Sequence, residues 1–545
     1  MIFEKLQLEN ISAYISRQME KSDPADEKDG QRLLRLKFQQ EKVREWSAYL
    51  SGGEQDLPVV PIAKGEYYEP SAALKHFWIG YRYEKTHVPF NIVINNLWGQ
   101  FNLEIFKRTC HTIIERHEIL RTVAVFLDDA RAVKQKVLPE IDLDRLLTVI
   151  DISQEKDPKK AIGHHLDLAK NHIFEYERGP YFYFTLLKCS GEEFFVIFNI
   201  SHSIFDGFSK DLFEKEFSIL YRAYKEGKPH GLKELPLQYK DFCKWEGEIQ
   251  SKDISTAYRK YWFYDEDARY PQGNLSLYYT RTELNDVSYR DSLRRRIKPY
   301  LRDAGEETVR AFYGVVGKAE RTYSRSYRVV IHGDALAGLH VLCRKRKAAV
   351  HFFIMAVWNV LIYKTTSLKS VVFGVNTATR DRAEFQTIMG FFVNTILVRN
   401  SLDGNMSFDS LLTDIIINGS IASSFKYYTL AKLLDDLDIP FNAINTIFLN
   451  VQPTTPTAAL TDLSSRHSDK TMLGIFDIDL HIRICNNGIE IVCHYDTSIY
   501  QAEVIERLWD GFMDLLQKCT TNPLLPIDEI GYPDRYLKTV LSFKR

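Results

Sequence analysis

Phe194-Phe195-Val196-Ile197-Phe198-Asn199-Ile200-Ser201-His202-Ser203-Ile204-Phe205-Asp206-Gly207 is the stretch that decides how this chain is read. Its aromatic and β-branched first half predicts a buried strand that runs straight into a polar loop. Upstream, Tyr181 to Lys188 has the same texture, and Cys189-Ser190-Gly191-Glu192-Glu193 between the two runs reads as the loop of a hairpin. Downstream, Leu212, Phe213, Phe217, Leu220, Tyr221 and Tyr224 recur at helical spacing, and Gly227 closes that segment as a C-terminal glycine would. The order strand, loop, helix places His202 where a rigid scaffold can present an imidazole to substrate. Asp206 follows, and Gly207 is expected to turn the chain with a positive φ into the helix. By itself this pattern leaves two readings open, a catalytic histidine or a hydrogen-bonded loop residue.

Outward from this centre the chain divides into three parts. Residues 1–57 are dominated by charged helix formers, with breaks at Ser22 to Asp26 and at Gly52-Gly53, and are expected to form a helical appendage. Residues 58–250 are densely apolar and form a first lobe. Residues 251–545 form a second, whose apolar runs Ser370–Phe373, Phe391–Val398, Ile444–Val451 and Ile489–Tyr495 read as strands, and whose stretch from Leu336 to Thr365 reads as helices. Within it, residues 264–326 are polar, rich in Arg and Tyr and poorly periodic, and are expected to be a linker or insertion.

With 545 residues, the chain is long enough for two or three well-buried domains. Its 71 Lys and Arg against 72 Asp and Glu give a net charge of -1, so no global field attracts nucleic acid or an acidic membrane. Two local basic runs, Arg294-Arg295-Arg296 and Arg344-Lys345-Arg346-Lys347, are expected to be solvated surface, the alternative being a phosphate-binding patch. The seven cysteines (Cys110, Cys189, Cys243, Cys343, Cys485, Cys493 and Cys519) form no CxxC pair, so neither a disulfide framework nor a zinc site is expected. Met1 to Asn10 lacks a secretory pattern. The most apolar stretch, Val350 to Tyr363, falls short of the ~20 residues a membrane span needs. A cytoplasmic location with no membrane association is the expectation.

Further motifs accompany the histidine in order along the chain. Ser201 to Gly207 is similar to the HHxxxDG signature of condensation domains of nonribosomal peptide synthetases. Ser71-Ala72-Ala73-Leu74-Lys75-His76-Phe77-Trp78 resembles their opening motif, and Arg116-His117-Glu118-Ile119-Leu120-Arg121-Thr122 resembles RHExLRT. Leu235-Pro236-Leu237-Gln238-Tyr239-Lys240-Asp241-Phe242 with Trp245 resembles LPLQYxDYxxW, continued by Tyr261-Trp262. Gly374 to Arg380 resembles GxxxAxR, and Met389-Gly390-Phe391-Phe392-Val393-Asn394-Thr395 resembles GxFVNT.

The resemblance implies an α/β fold of two chloramphenicol-acetyltransferase-like lobes, arranged as a V-shaped pseudo-dimer with a central tunnel. It implies a transferase that joins an acceptor amine to an acyl thioester, with no bound cofactor. The substrates arrive on phosphopantetheine arms of donor and acceptor carrier proteins, in company with other synthetase modules. The motif's second histidine falls on His202 as the proton acceptor or hydrogen-bonding anchor. Asp206 falls on a structural aspartate paired with Arg380, and Gly207 is a candidate backbone donor to the oxyanion. Asn394 and Trp78 are candidate tunnel-lining residues. Where the family has its first histidine this chain has Ser201, a position expected to be structural. Residues Ile2 to Ile15 resemble the last helix of a carrier domain, with a docking element or plain packing as alternatives. An ester-forming carrier- or coenzyme A-dependent O-acyltransferase, and a non-catalytic recruitment domain, are the alternatives for the whole chain.

Overall fold

The computed structural model describes residues 2–22, 27–51, 57–83, 91–127, 132–251, 324–366, 370–430, 447–451, 467–472, 478–485, 487–497 and 500–533. Helices α1 (Ile2–Met19), α2 (Glu27–Ser51) and α3 (Ala72–Tyr83) come first, followed by β1 (Asn91–Trp98), α4 (Leu103–Arg116), β2 (Thr122–Leu127) and β3 (Ala132–Val137). The first half continues through β4 (Leu147–Asp151), α5 (Pro158–Lys170), β5 (Phe182–Ser190), β6 (Glu193–Ser201), α6 (Gly207–Glu226) and α7 (Tyr239–Ser251). The second half opens with β7 (Ser324–Ile331), α8 (Gly333–Arg346), α9 (Val350–Thr366), β8 (Ser370–Ala378), β9 (Val393–Ser401) and α10 (Phe408–Ser424). It ends with β10 (Ile447–Val451), β11 (His467–Met472), β12 (Ile478–Cys485), β13 (Gly488–Asp496) and α11 (Ala502–Thr521).

These elements build the two α/β lobes expected from the sequence. The first holds a four-stranded sheet in the order β1-β6-β5-β4 with the hairpin β2-β3 beside it. Strand β6 reads as a near-continuous apolar run because both of its faces are covered. Val196, Phe198 and Ile200 enter the main core of the lobe, while Ile197 points to the other side and packs with Leu187, Ile152 and Ala169. The hairpin turn is tighter than expected, since β5 extends to Ser190 and β6 begins at Glu193. Helix α6 ends at Gly227 with φ 65°, the left-handed cap that the glycine was expected to supply.

The second lobe carries a seven-stranded sheet in the order β11-β7-β13-β12-β10-β8-β9. One face is apolar and lies under helices, with Leu480, Ile482, Ile491, Cys493, Leu449 and Ile396 all in the core. The runs expected as strands correspond to β8, β9, β10 and β13. The central strand, β12, alternates polar and apolar residues and so escapes a search for apolar runs.

The N-terminal helices do not form a separate appendage. Leu8, Ile11 and Ile15 of α1 form an i, i+3, i+7 stripe with 0 % exposure, and Leu36, Val43 and Trp46 of α2 join the same core as the second lobe. Burial of each such side chain contributes about 1.5–3 kcal/mol. Their counterpart is α10, which is buried on most sides, polar Asp409, Thr413 and Asn418 included, because the sheet covers one side and α1 and α2 cover another. Leu8, Ile11, Tyr14 and Ile15 thus pack α1 into the second-lobe core.

Two other expectations are corrected. Arg344-Lys345-Arg346-Lys347 forms the last turn and cap of α8, where cations suit the helix dipole, but Arg346 is buried rather than solvated. Residues 324–326, placed in the insertion by their polarity, belong to β7. The rest of the 264–326 segment, Tyr261-Trp262 and Arg294-Arg295-Arg296 lie outside the described residues. All seven cysteines are free thiols, and among the described residues no single helix is long and apolar enough to cross a membrane.

Candidate active site

His202 leaves the C-terminal end of β6 in a single 3-10 turn that Ser203 and Ile204 complete, so its placement follows from a strand anchored on both faces. The ring is half-buried. Its Nδ1 lies 2.7 Å from the Phe205 carbonyl oxygen, which can only accept, so Nδ1 carries the hydrogen and Nε2 is the acceptor nitrogen of the neutral ring. Burial holds the ring's pKa below the ordinary imidazole value, opposed by the Asp206 carboxylate. The edge-on ring of Phe391, from the second half of the chain, packs against it at 5.4 Å between centroids. The imidazole thus sits where the two halves meet.

Asp206 is hydrogen-bonded to both halves of the chain. It is the N-cap of α6, accepting from the Ser209 N–H at 2.7 Å, and it also accepts from the Phe392 N–H at 3.1 Å. Arg380 donates to it twice, from Nε and Nη2, each at 3.2 Å. The remaining guanidinium donors reach the carbonyls of Phe385 and Ile388, the Ser209 hydroxyl and the Gly390 carbonyl, and the cation lies 3.8 Å from the centroid of the Phe392 ring. Charges buried this deeply are tolerated only when paired and fully hydrogen-bonded, and this pair is both.

Motif residues around it join the halves at Gly390 and Tyr239 and brace the first lobe internally. Gly390 has no room for a side chain, because an added Cβ would lie 2.1 Å from Cδ2 of Tyr239. Tyr239 in turn donates to the Phe391 carbonyl at 2.7 Å and shares a hydrogen bond with Ser71 at 2.9 Å. His117 and Arg116 both bind Glu216 of α6, and Gln238 bridges the Arg116 carbonyl and the Glu118 N–H. Phe385, Ile388, Met389 and Phe392 accordingly belong to the core of the first lobe although they follow β8 of the second.

Ser201 is fully buried in a hydroxyl chain, 2.6 Å from the Tyr176 hydroxyl and 2.9 Å from that of Ser203. Burial pushes the Tyr176 phenol up to about 12, so the chain stays neutral. Three expectations fail here. Gly207 does not adopt a positive φ, because extended Asp206 makes the turn and Gly207 is simply the first helical residue. A Cβ at Gly207 would meet nothing within 4 Å, so the glycine leaves open space at the helix N-terminus. Trp78 has 0 % exposure and packs edge-on against Tyr181 in the first-lobe core, so it walls no channel. Asn394 is likewise buried, donating to the Lys426 carbonyl at 2.6 Å and accepting from the Thr395 N–H at 2.8 Å. Its neighbour Thr395 takes the polar face of the sheet instead, donating to Asn376 at 2.8 Å.

Two features are not specified by the motifs: Phe391, at the open position of its motif, touches the histidine ring, and Asp479 and His481 form a hydrogen-bonded pair on β12. The alternation Asp479-Leu480-His481-Ile482-Arg483 is the sequence signal that points to them.

Comparison with known proteins accords with this geometry. The family model described as Condensation domain matches residues 77–312 and 316–541. The chain is 24 % identical over 511 residues to gramicidin S synthase 2 of Aneurinibacillus migulanus, covering 91 % of this chain and 10 % of that protein. It is 24 % identical over 534 residues to surfactin synthase subunit 2 of Bacillus subtilis (strain 168), covering 95 % and 13 %. The chain therefore spans only a small part of the length of these relatives. Among solved structures it is similar to the X-domain from teicoplanin biosynthesis in complex with OxyB, with TM-score 0.66 and 16 % identity over 87 % of this chain and 98 % of that one. It is also similar to the first condensation domain of the CDA synthetase, with TM-score 0.59 and 14 % identity over 86 % and 100 %. A family match across most of both lobes, with His202 and its Asp206–Arg380 tie in place, means that this chain belongs to the condensation domain family.

Proposed function

We propose that the chain catalyses amide formation, in which an acceptor amine attacks an acyl thioester and His202 takes the amine's proton. The single observation that carries this reading is the tautomer of His202, fixed by the Phe205 carbonyl so that Nε2 is the basic nitrogen of a ring kept neutral by its surroundings. Proton acceptance of this kind accelerates a reaction by about 10²–10⁴-fold, and holding two tethered substrates together supplies much of the remainder. The N–H of Gly207, at the N-terminus of α6, is the proposed donor to the developing oxyanion, with open space beside it for the substrate. The substrates are those of the synthetases it resembles, an acyl donor and an amine acceptor on the phosphopantetheine arms of carrier proteins; no bound cofactor takes part. Other modules of such a synthetase are the proposed partners, in the cytoplasm.

A single-turnover assay with a donor carrier, an amine-loaded acceptor carrier and either native chain or His202→Ala tests this. Amide from the native chain and a loss of about 10²-fold or more in the variant is expected. Equal rates would remove His202 from the chemistry. A hydroxyl acceptor in the same assay separates ester from amide formation. A second reading, a recruitment domain without turnover, is favoured by the likeness to an X-domain solved with a partner protein and by Ser201 in the motif's first position. Absence of product with every acceptor would select it.

A further inference from the structure

Phe391 stands where the second half of the chain is pinned to the first residue by residue. Met389 is buried in the first-lobe core. The Gly390 N–H donates to the Ser209 hydroxyl at 3.0 Å, and that hydroxyl donates back to the Gly390 carbonyl at 2.9 Å. The Phe391 carbonyl accepts from Tyr239 of α7 at 2.7 Å, and the Phe392 N–H reaches Asp206 at 3.1 Å. Phe392 sends its ring into the core, 4.4 Å from that of Phe242 between centroids. Phe391, half-buried, instead meets the imidazole of His202, with the two ring planes at 84°. The GxFVNT motif that this segment resembles leaves the position open, so its role is read from the structure alone.

The contact acts on the imidazole in two ways. The bond from Nδ1 to the Phe205 carbonyl fixes one ring nitrogen, and an aromatic ring packed at nearly a right angle limits how the imidazole tilts about that anchor. Tilt matters because a misplacement of about 1 Å in a reacting group can cost about 10²-fold in rate. The phenyl ring also takes the place of water on the flank that it covers. Burial is the main cause that holds His202 below the ordinary imidazole pKa, so loss of that cover raises it. The charges that act on His202 are Asp206 of its own loop, which Arg380 binds, and, more weakly, His481 of the second-lobe sheet. Exchange of Phe391 for another apolar residue removes none of them.

We propose that Phe391 is a positioning residue for His202: its ring braces the imidazole against the Phe205 carbonyl and excludes water from one flank, so that the second half of the chain completes a base carried by the first. This rests on the acyl-transfer reading above, in which Nε2 of that imidazole takes the amine's proton. The pinning of residues 389–392 then has a consequence for the site, since those bonds fix the backbone from which the phenyl ring projects.

Phe391→Ala and Phe391→Leu are compared with the native chain in two measurements, with thermal unfolding recorded for each. The first follows the His202 ring by nuclear magnetic resonance in chain carrying nitrogen-labelled histidine, the signal being identified by its loss in His202→Gln. The titration midpoint should rise toward 6.5 in Phe391→Ala and return most of the way in Phe391→Leu, whose apolar side chain keeps water out. The second is the single-turnover rate against pH with donor and amine-loaded acceptor carriers. Phe391→Ala should slow the plateau by about 10–10²-fold and move the acidic limb to higher pH, and Phe391→Leu should recover part of both. A midpoint that stays or falls in Phe391→Ala, a plateau within about 2-fold of native, or a leucine variant no better than alanine would overturn the proposal. Should Phe391→Ala fail to fold, Phe391→Val stands in for it, with smaller shifts of the same sign expected. Absence of turnover by the native chain would overturn the acyl-transfer reading itself, and the titration then decides alone whether Phe391 braces the ring.

Discussion

Arg380–Asp206 and Arg346–Asp409 are the same chemical pair in two settings. Both are buried, with side chains 3 % and 3 % exposed in the first and 0 % and 9 % in the second. The first joins the loop after β6 to the segment after β8, and every polar group around it is used: Asp206 accepts from four N–H groups and Arg380 reaches three carbonyls and a hydroxyl besides. The second joins α8 to α10 and, through the Tyr14 hydroxyl at 2.8 Å from Asp409, to α1. Its Arg346 Nε has no hydrogen-bond partner among the described residues. A fully connected network specifies one geometry, whereas a partly satisfied one only holds elements together. The difference suits a pair that fixes the loop of His202, the proposed base, and a pair that fastens two helices to a core.

Truncation of the aspartates is the severest way to break this comparison. Asp206→Ala strands a buried guanidinium, uncaps α6 and frees the Phe392 N–H, and should cost about 4–5 kcal/mol in chemical denaturation. It should also slow acyl transfer by at least ~10²-fold, because His202 lies in the loop that this carboxylate holds. Asp409→Ala strands Arg346 but costs no cap hydrogen bond of comparable depth, so about 3 kcal/mol is expected, with the single-turnover rate within about 2-fold of native. Equal effects of the two variants on the rate would erase the distinction. Gly390→Ala is the milder perturbation. Its methyl would press on the Tyr239 ring, at a cost of about 1–3 kcal/mol in the same denaturation experiment.

How much of this was legible in the sequence follows from how local each signal is. The β5–β6 hairpin, His202 at its exit and α6 with its glycine cap depend on contiguous residues, and they stand where the pattern of aromatic runs and helical spacing puts them. The Asp206–Arg380 tie spans 174 positions and was accessible only because both ends lie in motifs. Nothing local marks Arg346, which sits in a run of four cations that looks like solvated surface, and its partners Tyr14 and Asp409 are distant in sequence. Trp78 and Asn394 show the opposite failure. A motif position says that a residue matters, not which way its side chain points, and both point into packed interior. Asp479 and His481 were hidden because a strand with one polar face does not read as an apolar run, even at the centre of a sheet.

The smallest effect expected is electrostatic and appears in the pH dependence. As the proposed base, His202 must be neutral to act, and burial lowers its pKa below the ordinary 6.5, so the rate should hold as pH falls past that value and drop only on passing through the folded-state pKa. The Asp206 carboxylate opposes burial by favouring the imidazolium. Asp206→Asn removes that charge while keeping an acceptor for the Ser209 N–H, so the acidic limb should move further to low pH in a rate profile taken well below the unfolding temperature. Asp409→Asn, remote from the ring, should leave the limb where it is. The global stability behaves in the same sense: His351 and His494 are held neutral by burial, to about 4, while the unfolded chain binds protons below 6.5. Their contribution is therefore complete above that pH and lost as it falls toward 4. The two aspartate variants share this background, so a limb that moved equally in both would report a change in the fold, and a limb that moved only with Asp206 would report the charge beside His202.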